Sequence, residues 1–317
     1  MKQSARAFLI LWGLVIAYAL LTCCCAAPPM GYPAPEAPEA SEVTEANLPL
    51  LNCIYFEREL FLSAVTSPPA YETKGSVLAG MIPHHLLASD MIAGFFTLAA
   101  SAGEYERVIL VSTSHFPYHC GSEVVTSAAG WNTPYGTLKG DPEVAGALLR
   151  NSLIAAEDNP FALERDHGAS GLMPFIKYYM PETKITAILL ANTVKQQRLE
   201  EIWQTLEPFC TDKGALLILS ADCSHYLMPE EAARRDEETA RAIESFDFEQ
   251  IMRFGDENVD SPQGVNLMLR LTQSRDAELK RLDHSSSAYK LPQGISHPIY
   301  AEGITTYFVY AVVESES

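Results

Sequence analysis

Positive charge is the scarcest commodity in this chain. Across 317 residues, 22 Lys and Arg face 40 Asp and Glu, a formal net charge of −18. A surface of that sign repels phosphate backbones and argues against nucleic-acid binding. It argues equally against charge-driven adhesion to anionic lipid. CxxC pairs are also missing from the body. Cys53, Cys120, Cys210 and Cys223 stand far apart, so the zinc-ribbon and thioredoxin readings fail. One or two disulfides remain open in an oxidising compartment, with buried apolar filling as the plainer use. There is no internal repeat, and the one long uncharged apolar run, residues 7–21, is a little short for a transmembrane span. Hydrophobic residues are plentiful at 48%, against 20% charged, which excludes wholesale disorder and predicts a sizeable core. The length suits one large domain or two small ones.

The N-terminus has a different grammar from the rest. Lys2 and Arg6 precede the apolar run, and Cys23-Cys24-Cys25-Ala26-Ala27 follow it. A basic start, an apolar stretch and small residues read as a secretory signal. Leu20-Leu21-Thr22-Cys23 and Leu21-Thr22-Cys23-Cys24 are loose forms of a lipoprotein signal, in which the cysteine becomes the lipidated first residue. Lipidation, an uncleaved anchor and ordinary cleavage of the signal at residues 1–27 all place the body outside the cytoplasm, the first two with it anchored to the membrane. Residues 28–47 are rich in Pro, Ala and Glu and read as an extended linker. The folded body is expected over 48–317.

Within the body, short apolar runs alternate with stretches of helical spacing. Residues 76–82, 107–112, 184–190, 215–220 and 303–313 read as strands, with 121–126 as a smaller hairpin element. Residues 86–102, 142–150, 170–179, 196–209, 230–245 and 261–272 read as helices. Near-continuous apolar strands separated by helices imply a sheet covered on both faces. The expected fold is a layered α/β/α single domain around a mostly parallel or mixed sheet.

Three of those strands end in the same way. The first runs into Pro83-His84-His85, the second into Ser114-His115, and the fourth into Ala221-Asp222-Cys223-Ser224-His225. Ligands of open α/β sheets bind beyond the carboxyl ends of the strands, where such loops converge. Five of the eight histidines fall there (His84, His85, His115, His119 and His225), and a further loop adds Arg165-Asp166-His167-Gly168. Helices starting from these loops would turn their N-termini towards the crevice, which favours a small anionic ligand. A single loop histidine is ordinarily just a hydrogen-bonded residue, and Asp222 alone could cap a turn. Together they suit a divalent Fe, Cu, Zn or Ni ion better than Ca or Mg, which want more oxygen donors. Metal-free acid–base chemistry is the competing use.

These residues also carry a family resemblance. Ile82-Pro83-His84, Ser112-Thr113-Ser114-His115, Trp131-Asn132-Thr133-Pro134-Tyr135-Gly136 with Asp141, Asp166-His167-Gly168, and Ser220-Ala221-Asp222 with His225 occur in the order found in Memo-like proteins, also called AmmeMemoRadiSam system protein B. The resemblance spans roughly residues 75–313. It implies a fold similar to the class III extradiol dioxygenases, which hold non-haem Fe(II) by two histidines and a carboxylate. It also implies that His84 and His115 are metal ligands and that His167, Asp222 and His225 flank them as catalytic groups. A radical-SAM partner is implied by the family's system name alone.

The chain departs from the family pattern in several places. His85 replaces a small residue, and Ser170 and Leu172 stand where the family carries a glutamate and a histidine. The family's third site residue, a cysteine before a helix, is matched here by Asp260 of Val259-Asp260-Ser261-Pro262. Asp260 is therefore either a helix cap ahead of Pro262 or the carboxylate of a two-His, one-carboxylate site.

The expected cofactor is one divalent metal ion, with Fe(II) favoured by the resemblance and Zn or Cu suited to an exported protein. The expected function is a metal-dependent redox enzyme of dioxygenase type, against a non-catalytic metal- or ligand-binding module and a metal-assisted hydrolase.

Overall fold

The apolar runs read as buried strands form the centre of one sheet. In the computed structural model, which describes residues 48–116, 122–291 and 303–315, twelve strands follow one another. They are β1 (Leu50–Asn52), β2 (Val77–Ile82), β3 (Arg107–Thr113), β4 (Val124–Thr126), β5 (Gly130–Thr133) and β6 (Gly136–Gly140), then β7 (Ala156–Asp158), β8 (Lys184–Leu190), β9 (Ala215–Ser220), β10 (Cys223–Leu227), β11 (Glu278–Ser286) and β12 (Ile304–Val313). Across the sheet the order is β1-β5-β6-β8-β3-β9-β2-β12-β10, with β11 on β12 and β4 joined to β7 and β8. The central β6, β8, β3, β9 and β2 are parallel to one another. At the far edge, β12 and β10 run antiparallel. The sheet is mixed, as expected.

Both faces of the centre are covered, and alternation along each strand divides the core in two. Val108 and Leu110 of β3 pack on one side with Phe95 and Phe96 of helix Ser89–Ala102 and Phe175 of helix Met173–Tyr179. Ile109 and Val111 face the other way, towards Leu199 and Ile202 of helix Gln196–Cys210 and Val265 and Met268 of helix Pro262–Ser274. This is the layered α/β/α architecture, consistent with the dioxygenase-like α/β fold. The packing is close. A Cβ on Gly80 of β2 would lie 2.1 Å from the Phe95 ring, so only glycine lets that ring lie on the strand.

Register sets up the site. Ile82 and Ser112 both pair with Ser220, and Thr113 pairs with Leu190. The parallel strands therefore stop level, and the loops carrying His84, His115 and Asp222 leave from one edge of the sheet.

Several local expectations change. The helix expected over 86–102 opens as a 3-10 turn, Leu86–Ala88, and the one over 170–179 divides into His167–Ser170 and Met173–Tyr179. The hairpin is β5–β6, turned at Pro134-Tyr135 with Gly136 at φ +112, whereas β4 lies beside β7 and β8. His225 lies within β10 and not in a loop. The signal or anchor at 1–27 and the linker at 28–47 lie outside the described residues, as do His119 and Cys120. Among the described residues no helix is long and apolar enough to cross a membrane. Cys53, Cys210 and Cys223 are free.

Candidate metal centre

His84 follows β2 by two residues and is buried to 2% exposure. Its Nδ1 lies 3.1 Å from Ser220 Oγ, and that hydroxyl donates its proton to the Gly168 carbonyl at 2.6 Å. A carbonyl can only accept, so Ser220 must accept from His84 Nδ1–H, and the lone pair of the ring sits on Nε2. That Nε2 faces Asp222 Oδ2 at 3.4 Å and Asp260 Oδ2 at 3.3 Å.

His115 is fixed in the same sense. Asp166 accepts from His115 Nδ1 and from Gly168 N through Oδ1, and from His115 N through Oδ2, each at 2.9 Å. With Nδ1–H tied to a carboxylate, His115 Nε2 is the nitrogen left to face the cluster. It stands 3.6 Å from Asp260 Oδ2, beyond hydrogen-bond reach. Both His115 Nε2 and Asp260 Oδ1 are buried without a hydrogen-bond partner.

Asp260 reaches this point through the backbone. Cys223 and Val259 form an isolated antiparallel bridge, Asp260 N donates to the Asp222 carbonyl at 3.1 Å, and Asp222 N approaches Asp260 Oδ2 at 3.3 Å. The capping role is not seen. Ser261 occupies the N-cap of helix Pro262–Ser274, which has no side-chain cap, and the Asp260 carboxylate turns to the two imidazoles.

His167 completes the cluster. Its ring lies 3.9 Å from that of His115 and 5.0 Å from that of His84, with Tyr55 and Phe116 edge-on to it at 5.8 and 6.0 Å. One nitrogen from each of His84, His115 and His167 lies within 4.8 Å of the others, so the three can hold a metal ion. Asp222 Oδ1 accepts from His84 N at 3.1 Å. His225 stands apart, its N and Nδ1 both donating to the Asp256 carbonyl.

Electrostatics follow from burial and crowding. Burial, then the potential of the neighbouring histidines, holds His84 well below its ordinary value. Burial and then His115 lower His167 to about 4. Burial and then the Asp260 charge raise Asp222 to about 8. For His115, burial pulls down, but Asp166 and Asp260 outweigh it and lift the imidazole to about 10. At neutral pH the His115 ring therefore carries a positive charge beside the Asp166 and Asp260 carboxylates.

The motif residues thus fall into two groups. His84, His115, Asp166, His167, Ser220, Asp222 and Asp260 meet at the strand ends. Trp131 is buried in the β5–β6 hairpin, and Asp141 caps helix Pro142–Arg150 while accepting from Arg107 Nε at 2.7 Å. Cys223, a conceivable soft ligand beside His225, is fully buried, and burial followed by three carboxylate charges pushes its thiol far up. Asp166 and Ser220 were not foreseen as ring-orienting partners. Their signal lay in being one residue from His167 and two from Asp222.

The family profile described as Memo-like protein matches residues 59–301. A MEMO1 family protein of Pyrobaculum aerophilum is 27% identical over 169 residues, covering 51% of this chain and 58% of its own length. One from Aquifex aeolicus is 28% identical over 148 residues, covering 46% and 54%, and one from Sulfurisphaera tokodaii is 26% identical over 208, covering 63% and 72%. The chain thus spans little more than half the length of the first two. The solved structure of an uncharacterized protein from Escherichia coli K12 covers 73% of this chain and 98% of its own, at 13% identity and a TM-score of 0.48, too slight a likeness to carry weight. With its sequence matched from 59 to 301, the chain belongs to the Memo-like protein family.

Proposed function

We propose that this protein is a non-haem metal enzyme of redox, dioxygenase-like type, in which His84, His115 and Asp260 hold one divalent ion. One observation carries the reading. Two imidazoles, each with Nδ1–H tied down, aim Nε2 at one buried carboxylate, and two of the atoms there have no partner. Donor separations of 3.3 and 3.6 Å suit a shared ion, because metal–ligand bonds of about 2.1 Å place neighbouring ligands roughly 3–3.5 Å apart. Two histidines and a carboxylate leave positions open for oxygen or substrate, and a bound Fe(II) would supply the redox chemistry.

The rest belongs to the protein. Ser220 and Asp166 orient the two rings. Asp222, raised to about 8, holds a proton at neutral pH beside His84 and can release it as a general acid. His167, lowered to about 4, is a neutral base at the same place. His225 stands further out as a second acid–base group. Tyr55 and Phe116 form an apolar edge beside His167. The small-molecule ligand would enter from the strand ends, in a body exported and tethered by the N-terminal segment.

A second reading rests on His167 as the third ligand. Three imidazoles suit Zn or Cu, ions more readily kept outside the cytoplasm, and would fit a hydrolase or a non-catalytic metal-binding module. Metal content measured by mass spectrometry after anaerobic Fe(II) loading, and separately after Zn loading, distinguishes these. One metal per chain, lost in His84→Ala, His115→Ala and Asp260→Ala but kept in His167→Ala, supports the first reading. Loss in His167→Ala with retention in Asp260→Ala supports the second. No metal in the wild type under either condition refutes both.

A further inference from the structure

A fourth imidazole stands beside the centre and is used by neither reading. His85 follows His84 directly, and its backbone N–H approaches Asp222 Oδ1 at 3.5 Å. Its Nδ1 lies 2.6 Å from the Tyr307 hydroxyl, with the two rings edge-on at 5.8 Å. Tyr307 is fully buried on β12, a strand paired with β2, β10 and β11. The phenol is a rigid anchor.

The direction of that hydrogen bond decides what His85 offers. A phenol O–H is a far stronger acid than a neutral imidazole N–H, and an imidazole nitrogen is a better base than a phenol oxygen. Tyr307 therefore donates to Nδ1, and the ring proton sits on Nε2. Among the described residues His85 makes no other side-chain hydrogen bond, and Nε2 is not one of the buried atoms sealed without a partner. Among the described residues nothing takes up that N–H. His85 adjoins His84 in the chain, and the backbone N–H groups of both approach the same Asp222 Oδ1, at 3.1 and 3.5 Å.

The neighbouring fixed groups offer the opposite. Once metal has displaced the His115 proton, His84 and His115 present Nε2 lone pairs and Asp260 presents carboxylate oxygen. A ligand oxygen at the centre would meet lone pairs on the ligating groups, with the Asp222 carboxyl and His85 as the donors beside them. We propose that His85, clamped by Tyr307, is a ligand-contacting residue that donates Nε2–H to an oxygen acceptor on the bound small molecule. It favours carboxylate, phenolate or carbonyl ligands over those offering only donors. The inference rests on the metal-centre reading above.

The test uses the whole protein loaded with Co(II), whose visible absorption reports ligand entry. Acetate is one probe. The other is imidazole, which has no acceptor left once its lone pair is on the metal. His85→Ala should weaken acetate roughly ten- to a hundredfold, the range for a hydrogen bond to a charged group, and leave imidazole and Co(II) affinity unchanged. His85→Gln, which keeps an N–H donor, should recover part of the loss, and Tyr307→Phe, which frees the ring, should lose part of the affinity. Thermal melts of each variant separate loss of fold from loss of contact. Unchanged acetate affinity in a folded His85→Ala overturns the proposal, as does an equal loss for both probes. Loss of Co(II) in His85→Ala alone would make His85 a metal ligand and also overturn it. Failure of the wild type to take up Co(II) would instead sink the metal-centre reading, and this one with it.

Discussion

Replacing Asp166 with Asn separates ring orientation from ligation. The carboxylate accepts three hydrogen bonds of 2.9 Å, two from backbone N–H groups and one from His115 Nδ1, and is 1% exposed. An Asn with its oxygen in the Oδ1 place keeps the bonds from His115 Nδ1 and Gly168 N. It sets its NH2 against the His115 backbone N–H. The reverse orientation would lose two bonds instead of one and is disfavoured. One unsatisfied buried donor costs about 1–3 kcal/mol, which lowers Tm by on the order of 5 °C for a domain of this size. Loss of the negative charge behind the imidazole makes Nε2 a poorer ligand, and such outer-shell changes weaken metal binding by roughly 10–100-fold. Thermal melts of the metal-free protein and competition titrations with a chromophoric chelator read the two effects separately. A variant that loses stability but binds metal as tightly as the wild type would show that Asp166 only braces the loop, and would refute the orientation argument.

Other outcomes follow from the same geometry. Metal must displace the proton that Asp166 and Asp260 hold on His115 up to about pH 10, so affinity should climb by about tenfold per pH unit between pH 7 and 9. A flat profile in a chelator titration would contradict this. Asp222 keeps its proton in the fold to about pH 8, whereas the unfolded chain loses it near 3.8. The fold therefore loses stability as pH rises from 4 through 8, and Asp222→Asn, which cannot ionise, should gain on the wild type across that window by a few kcal/mol at most. Urea unfolding of both metal-free proteins at pH 5 and pH 8 checks the sign, and a variant that falls behind on going to pH 8 would show it reversed. A Cβ on Gly168 would lie 2.2 Å from Ser112 Oγ and 3.0 Å from His115 Cε1. Gly168→Ala should thus displace the His115 ring and cost about 1–3 kcal/mol of stability. Wild-type metal affinity in that variant would mean that the ring is held less tightly than argued.

Much of the fold could be read from residue pattern because its central strands are buried on both faces. The strands Arg107–Thr113 and Ala215–Ser220 carry the unbroken apolar runs 108–111 and 215–219, and no surface helix looks like that. The edge strands were less visible. Glu278–Ser286 is a nine-residue strand with a largely polar, half-exposed sequence, and it is held by its pairing with β12 rather than by any periodicity of its own. Cys223–Leu227 looked like loop because it follows Asp222 so closely, yet it turns back to pair with β12.

The site was legible at His84 and His115, where a histidine just past an apolar run repeats at neighbouring strands. Asp260 was ambiguous, because the sequence before Pro262 reads equally well as a cap. Only the backbone bridge between Cys223 and Val259 turns it inward. Ser220 and Asp166 were legible only as close neighbours of Asp222 and His167, not as ring-orienting groups. Each acts across a tertiary contact, at sequence separations of 136 and 51 residues from the imidazole that it fixes or flanks.

An anomalous difference map from crystals of the protein loaded with Fe(II) under anaerobic conditions tests the central claim most directly. The account predicts one peak bonded to His84 Nε2, His115 Nε2 and an Asp260 carboxylate oxygen, at about 2.0–2.2 Å from each. No peak at the strand ends, or one held without either His84 or His115, would contradict it.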